Sequence, residues 1–256
     1  MTEKILNIDM LSKSFSGLQV VEEVSFDITK GSRTALIGPN GAGKTTVFNL
    51  ISGIYTVDDG RITLDGINIT DMPERQRVNC GVSRSFQNIR LMPHLSAIEN
   101  VMLGQHSRAR SVGHLMFPLG WVPGNRWARR AAEALGEAGL DTHAGEVVAN
   151  LPYGVQKRIE VVRALMPEPK VLMLDEPAAG LNEKETEELQ VLLEKASAQG
   201  VTLLVVEHDM QFVRNLCDHV VVLNFGKKIF EGAPSVVNRD AAVREAYLGT
   251  DYVDAA

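Results

Sequence analysis

Residues 35–53 read ALIGPNGAGKTTVFNLISG. The apolar run Ala35 to Ile37 predicts a buried strand, and Lys44 to Ser52 predicts a helix that Gly53 closes. Between them GPNGAGKT, Gly38 to Thr45, has the full G-x-x-x-x-G-K-[ST] spacing in the strand–loop–helix setting that this pattern requires. The loop residues Gly38, Pro39, Asn40, Gly41, Ala42 and Gly43 let backbone N–H groups converge on phosphate oxygens. The helix start adds the positive end of its dipole, and Lys44 neutralises β- and γ-phosphates. Thr45 would place its hydroxyl on Mg²⁺, and Thr46 comes next in the same nucleotide-binding turn. The alternative, a structural turn with an incidental lysine, fits the spacing and context poorly. The loop alone indicates nucleotide binding and nothing more.

Two further apolar runs end in charged residues. Val171 to Glu176 reads VLMLDE, so a buried strand delivers Asp175 to its end, where a carboxylate can hold a Mg²⁺ shell. Glu176, one residue on, is placed to polarise an attacking water; otherwise it is a solvated acid at a strand end. Thr202 to His208 reads TLLVVEH, ending in a histidine that can contact a γ-phosphate, although a His after a strand is often structural.

Short, nearly unbroken apolar strands separated by helices predict an α/β fold with a mostly parallel sheet. Leu6 to Met10, Val24 to Ile28 and Gly60 to Leu64 predict a small antiparallel β layer. From about 88 to 165 the pattern turns helical, with Trp127, Ala131, Ala134, Leu135 and Ala138 on one stripe, which predicts a helical subdomain inside one domain spanning 1–256. Glu183 to Gln199 predicts a helix, and Asn182 with Glu185 has capping-box spacing. About 235–256 forms a short C-terminal extension.

Composition narrows the class. The 256 residues are 45% hydrophobic and 23% charged, with a formal net charge of −6, which argues against a general nucleic-acid binder. Cys80 and Cys217 lack metal-ligand spacing and suggest no disulfide framework, as expected in a reducing cytoplasm. The opening MTEKILNIDM carries no secretory signal pattern, and no apolar run approaches the roughly 20 residues of a membrane-spanning helix. The absence of internal repeats and long heptad runs disfavours a coiled-coil chromosome-maintenance ATPase.

The ordered set GPNGAGKT, SRSFQN (Ser83 to Asn88), LPYGVQKR (Leu151 to Arg158), VLMLDEP and VVEHD resembles the nucleotide-binding subunit of an ABC transporter over almost the whole chain. The resemblance implies an ATPase that pairs head to tail with itself or with a second ABC ATPase. Each ATP is then held between the phosphate loop of one subunit and the signature segment of the other. It implies ATP and Mg²⁺ as ligands, Phe15 stacking on adenine, and Gln87 linking the metal to a transmembrane permease. Phe15 also reads as a core aromatic, and Gln87 as an ordinary loop residue. Tyr153 and Gly154 belong to the signature segment, which departs from the common L-S-G-G-Q. Pro152 stands where a serine usually contacts the γ-phosphate, Tyr153 replaces the first glycine and Val155 the glutamine. A helix starting near Val155 can still offer donors. Asn182 stands where many members have Asp.

The finer pattern, SRSFQNIRLMPHLSAIENVMLG, DEPAAGLN and the ending EAYLG, resembles ATPases of branched-chain amino-acid importers. That implies a peripheral position on the cytoplasmic face of the inner membrane, with permease subunits as partners and, indirectly, a substrate-binding protein. Related motors serve importers of urea, other amino acids or aromatic acids. The segment His106 to Arg130, rich in arginine, reads either as a permease- or lipid-facing patch or as a solvated basic face over a local core. Two rivals are weaker: soluble ABC regulators of translation usually join two cassettes, and a small-molecule P-loop kinase would lack the signature segment.

Overall fold

The computed structural model describes residues 3–85, 89–105 and 126–248. Its centre is a six-stranded sheet in the order β10-β9-β3-β8-β7-β6. The strands are β3 (Arg33–Ile37), β6 (Val82–Arg84), β7 (Val171–Asp175), β8 (Thr202–Val206), β9 (His219–Asn224) and β10 (Lys227–Gly232). All neighbours pair in parallel except β9 and β10.

The unbroken apolar runs are explained by two cores, one on each face. Ala35, Ile37, Leu172, Leu174, Leu203 and Val205 pack into one; Leu36, Met173, Leu204 and Val206 pack into the other. Successive side chains point to opposite faces, so a strand covered on both sides needs apolar residues throughout.

The first core is closed by α3 (Ala97–Leu103), α4 (Arg126–Glu137), α5 (Tyr153–Leu165), α6 (Glu183–Ala198) and α7 (Met210–Leu216). The predicted stripe on α4 holds: Ala131 and Leu135 are fully buried, and Trp127, Ala134 and Ala138 pack against the same core. The second core lies between α1 (Lys44–Ser52) and a four-stranded antiparallel sheet, β2-β1-β4-β5, made of β1 (Lys4–Phe15), β2 (Leu18–Thr29), β4 (Asp59–Leu64) and β5 (Ile67–Asn68). The remaining helices are α2 (Glu74–Cys80) and α8 (Ala241–Leu248).

Some boundaries differ from the expected ones. β1 and β2 each run twelve residues, well past Leu6–Met10 and Val24–Ile28, because register shifts between Ile8 and Leu11 and beyond break the alternation without ending the pairing. Helix α5 starts at Tyr153 rather than near Val155; Pro152, at φ −55°, caps it with the dihedral that proline fixes. Of the segment 106–130, only Arg126 to Arg130 lie within the described residues, in the first turns of α4.

Candidate nucleotide-binding and hydrolysis site

The register of the parallel sheet sets the geometry of the site. Leu36 pairs with Val206 and Asp175 pairs with Val206, so the C-terminal ends of β3, β8 and β7 finish level. The segments leaving these strands therefore meet at one edge: the loop 38–43 after β3, Glu176 after β7, and Glu207 with His208 after β8. Ligands of open α/β sheets bind at this edge.

The loop needs its glycines where backbone crowds backbone. A Cβ on Gly38, at φ +148°, would lie 2.1 Å from the Leu223 carbonyl oxygen, and one on Gly43, at φ +97°, would lie 2.8 Å from that of Val20. Lys44 folds back over the loop, its Nζ donating to the Gly38 oxygen at 2.5 Å and the Pro39 oxygen at 3.0 Å. Burial lowers its ammonium from the ordinary lysine range, opposed by the Glu176 and Asp175 carboxylates. Asn40, Gly41 and Thr45 are exposed, Pro39 and Thr46 half-buried, and Ala42 buried.

Asp175 is buried at the end of β7, and Arg84 of β6 donates to its Oδ2 at 3.0 Å. Arg84 also bonds Asn49 Oδ1 of α1 at 2.5 Å and lies 4.7 Å from the Phe48 ring centroid. Burial pushes the Asp175 carboxyl above its ordinary value, and the Arg84 charge pulls it back. Glu176 is half-buried, at φ +46°, a left-handed conformation uncommon for a residue with a side chain and typical of positions held by their surroundings. Its N–H donates to Val206 O at 2.9 Å, and its Oε1 lies 3.8 Å from Nδ1 of His208, whose side chain is 68% exposed.

The oxygen donors here, the Asp175 carboxylate and the Thr45 hydroxyl, suit a hard divalent cation. Among the described residues no group of three or more His, Cys, Asp or Glu can hold a metal. Two protein oxygens completed by phosphate oxygens and water match the way Mg²⁺ is held beside nucleotides.

Phe15, Tyr153 and Gly154 lie on other elements, β1 and α5. Phe15 ends β1, 37% exposed, edge-on to Tyr55 with centroids 5.1 Å apart and Lys13 Nζ 5.4 Å from its ring. It is a surface aromatic and not a core one. Tyr153 and Gly154 open α5 and are held against α6: a Cβ on Gly154 would meet the Glu185 side chain at 2.5 Å, and the Tyr153 ring lies against Gly180. Tyr153 is nevertheless 43% exposed. Gln87 lies outside the described residues.

Sequence reading missed Arg84 and Glu207. Glu207 directly follows the apolar strand β8, a signal that was available, whereas Arg84 ends the short strand Val82–Arg84; the partners of Arg84 and Glu207 lie 91 and 29 positions away.

Residues 21–179 match the family model described as ABC transporter, and residues 227–253 match a second described as Branched-chain amino acid ATP-binding cassette transporter. The high-affinity branched-chain amino acid transport ATP-binding protein BraF of Pseudomonas aeruginosa is 40% identical over 255 residues, covering 97% of this chain and 99% of its own. Among solved structures, the ADP conformation of MJ1267, an ATP-binding cassette of an ABC transporter, superposes with a TM-score of 0.86 at 30% identity, covering 97% of this chain and 100% of that one. The dimeric post-hydrolysis state of the cassette MJ0796, bound to ADP and Pi, gives 0.77 at 26% identity, covering 90% and 99%.

Proposed function

The chain belongs to the ABC transporter family of ATP-binding subunits and is an ATPase, and from that premise we propose that its ATP hydrolysis powers uptake of branched-chain amino acids through a separate permease. The observation that carries the ATPase reading is the convergence of Lys44, Asp175, Glu176 and His208 on one sheet edge. The end-to-end similarity to BraF and the match of residues 227–253 support the cargo.

In this reading the amides of residues 38–43 and the Lys44 ammonium take the phosphates, giving up the bonds Lys44 makes to Gly38 and Pro39. Thr45, Asp175 and Gln87 hold Mg²⁺, which supplies charge neutralisation on the phosphates. Glu176 accepts a proton from the attacking water, and His208 steadies the γ-phosphate. Phe15 offers its exposed ring to adenine. Tyr153 and Gly154 serve the site of a second subunit, either a copy of this chain or a related ATPase. Among the described residues no helix is long and apolar enough to cross a membrane, so the pathway belongs to permease subunits, with this chain peripheral at the cytoplasmic face and a substrate-binding protein delivering cargo from outside.

The test is uptake of labelled leucine, valine and urea by native cells whose only copy carries Lys44→Ala at equal protein level. Leucine and valine uptake falls to background while urea uptake is kept. Unchanged leucine and valine uptake overturns the cargo and leaves the ATPase standing.

A further inference from the structure

Between Glu176 and His208 lies a carboxylate that the hydrolysis scheme does not use. Glu207 comes directly after the last residue of β8 and is 1% exposed. Its two oxygens face two different loops. Oε1 accepts the Ala178 N–H at 2.9 Å, from the loop that leaves Glu176; Oε2 accepts the His208 N–H at 3.0 Å and the Asp209 N–H at 3.4 Å. The Ala178 loop closes on itself, Ala179 N–H to Glu176 O and Leu181 N–H to Ala178 O. The His208 loop is fixed at its far side by Asp209, whose Oδ1 accepts Gln211 and Phe212 N–H groups at the start of α7.

A buried carboxylate is costly unless its oxygens are taken by donors. Here the donors are backbone amides of the two loops that carry the hydrolytic residues, and the carboxyl sits above its ordinary value through burial despite these bonds. We propose that Glu207 is a positioning residue: its carboxylate ties the Glu176 loop to the His208 loop, so that the 3.8 Å spacing between those two side chains is set and the loops move as one unit. The assignment rests on the hydrolytic roles of Glu176 and His208. One oxygen per loop is the essential feature. A single-acceptor side chain can hold either loop but not both.

The test uses the full chain with Glu207→Met and Glu207→Gln. In the Met variant both loops lose their acceptor, so amide exchange at Ala178 and at His208 and Asp209 rises together; in the Gln variant it rises in one loop alone. In both, kcat for ATP falls by about 10²-fold through misplacement while the dissociation constant of a fluorescent ATP analogue is unchanged. A cycle with His208→Ala shows non-additive losses, because both substitutions damage one unit. Retained protection at Ala178 in Glu207→Met, nucleotide affinity falling in step with kcat, or additive losses when His208→Ala itself lowers kcat would each overturn the proposal. If His208→Ala alone leaves kcat intact, it is the histidine's role that fails, and the exchange pattern still decides the tie. Should the Met variant not fold, the single-loop signature of Glu207→Gln decides it.

Discussion

At the scale of single residues, the site is built from charges that would be unfavourable alone. Asp175 is held by Arg84, and the pair is almost wholly removed from water, with side-chain exposures of 7% and 11%. Arg84 also ties α1, through Asn49 and Ser52, to the Asp175 carboxylate, so one guanidinium spans three elements. Breaking such a pair leaves an uncompensated buried charge. Arg84→Met is expected to lose about 3–5 kcal/mol of stability, read from the shift of the denaturant midpoint at constant slope. Lysine will not restore it, since a single ammonium cannot reach the Asn49, Ser52 and Asp175 oxygens with the geometry of a planar fork. A midpoint within about 1 kcal/mol of wild type would place the Arg84–Asp175 contact among dispensable surface pairs.

At the scale of elements, local chemistry explains where helices begin and why some were readable in advance. Asn182 and Glu185 make the expected capping box at α6, and a second one, Ser96 with Glu99, starts α3. Hydrogen bonds from the Ser96 hydroxyl and N–H hold the Glu99 carboxyl below the ordinary glutamate range. Its folded value being depressed, the stability it contributes is present at neutral pH and is lost as pH falls through that folded value. Glutamine at the same position keeps the reciprocal cap without the charge. Glu99→Gln should therefore show a shallower fall of melting temperature on the acid side than wild type, and identical slopes would remove Glu99 from the acid response. Contiguity along the chain decides what was legible beforehand. Phosphate loop, α1, α6 and the buried strands β3, β7 and β8 could be read because each is written in contiguous residues. The full lengths of β1 and β2 could not, because bulges break their alternation. Nor could Arg84 and Glu207, whose meaning depends on partners that only the parallel register brings near.

At the scale of the whole molecule, the segment at Tyr153 and Gly154 and the phosphate loop lie on different elements, α5 and the turn into α1. Tyr153 and Gly154 are pinned to α6 and to the loop before it, while Lys44 opens α1 just past the end of β3. In the proposed reading a second subunit completes the site, and the post-hydrolysis state of the related cassette MJ0796, bound to ADP and Pi, is dimeric. If hydrolysis is the step that lets such a pair open, blocking it should trap the closed form. With Glu176→Gln, turnover should fall by roughly 10²–10⁴-fold with ATP still bound. Light scattering on that variant should then show a dimer with Mg-ATP and a monomer with ADP. Because closure is second order, the specific activity of the unmodified chain should rise with protein concentration. If the trapped variant stays monomeric alone but dimerises when a related ATPase subunit is added, the second half of the site comes from that partner. A monomer under every condition, with specific activity independent of concentration, would mean that Tyr153 and Gly154 serve no nucleotide and that the phosphate-loop edge hydrolyses ATP unaided.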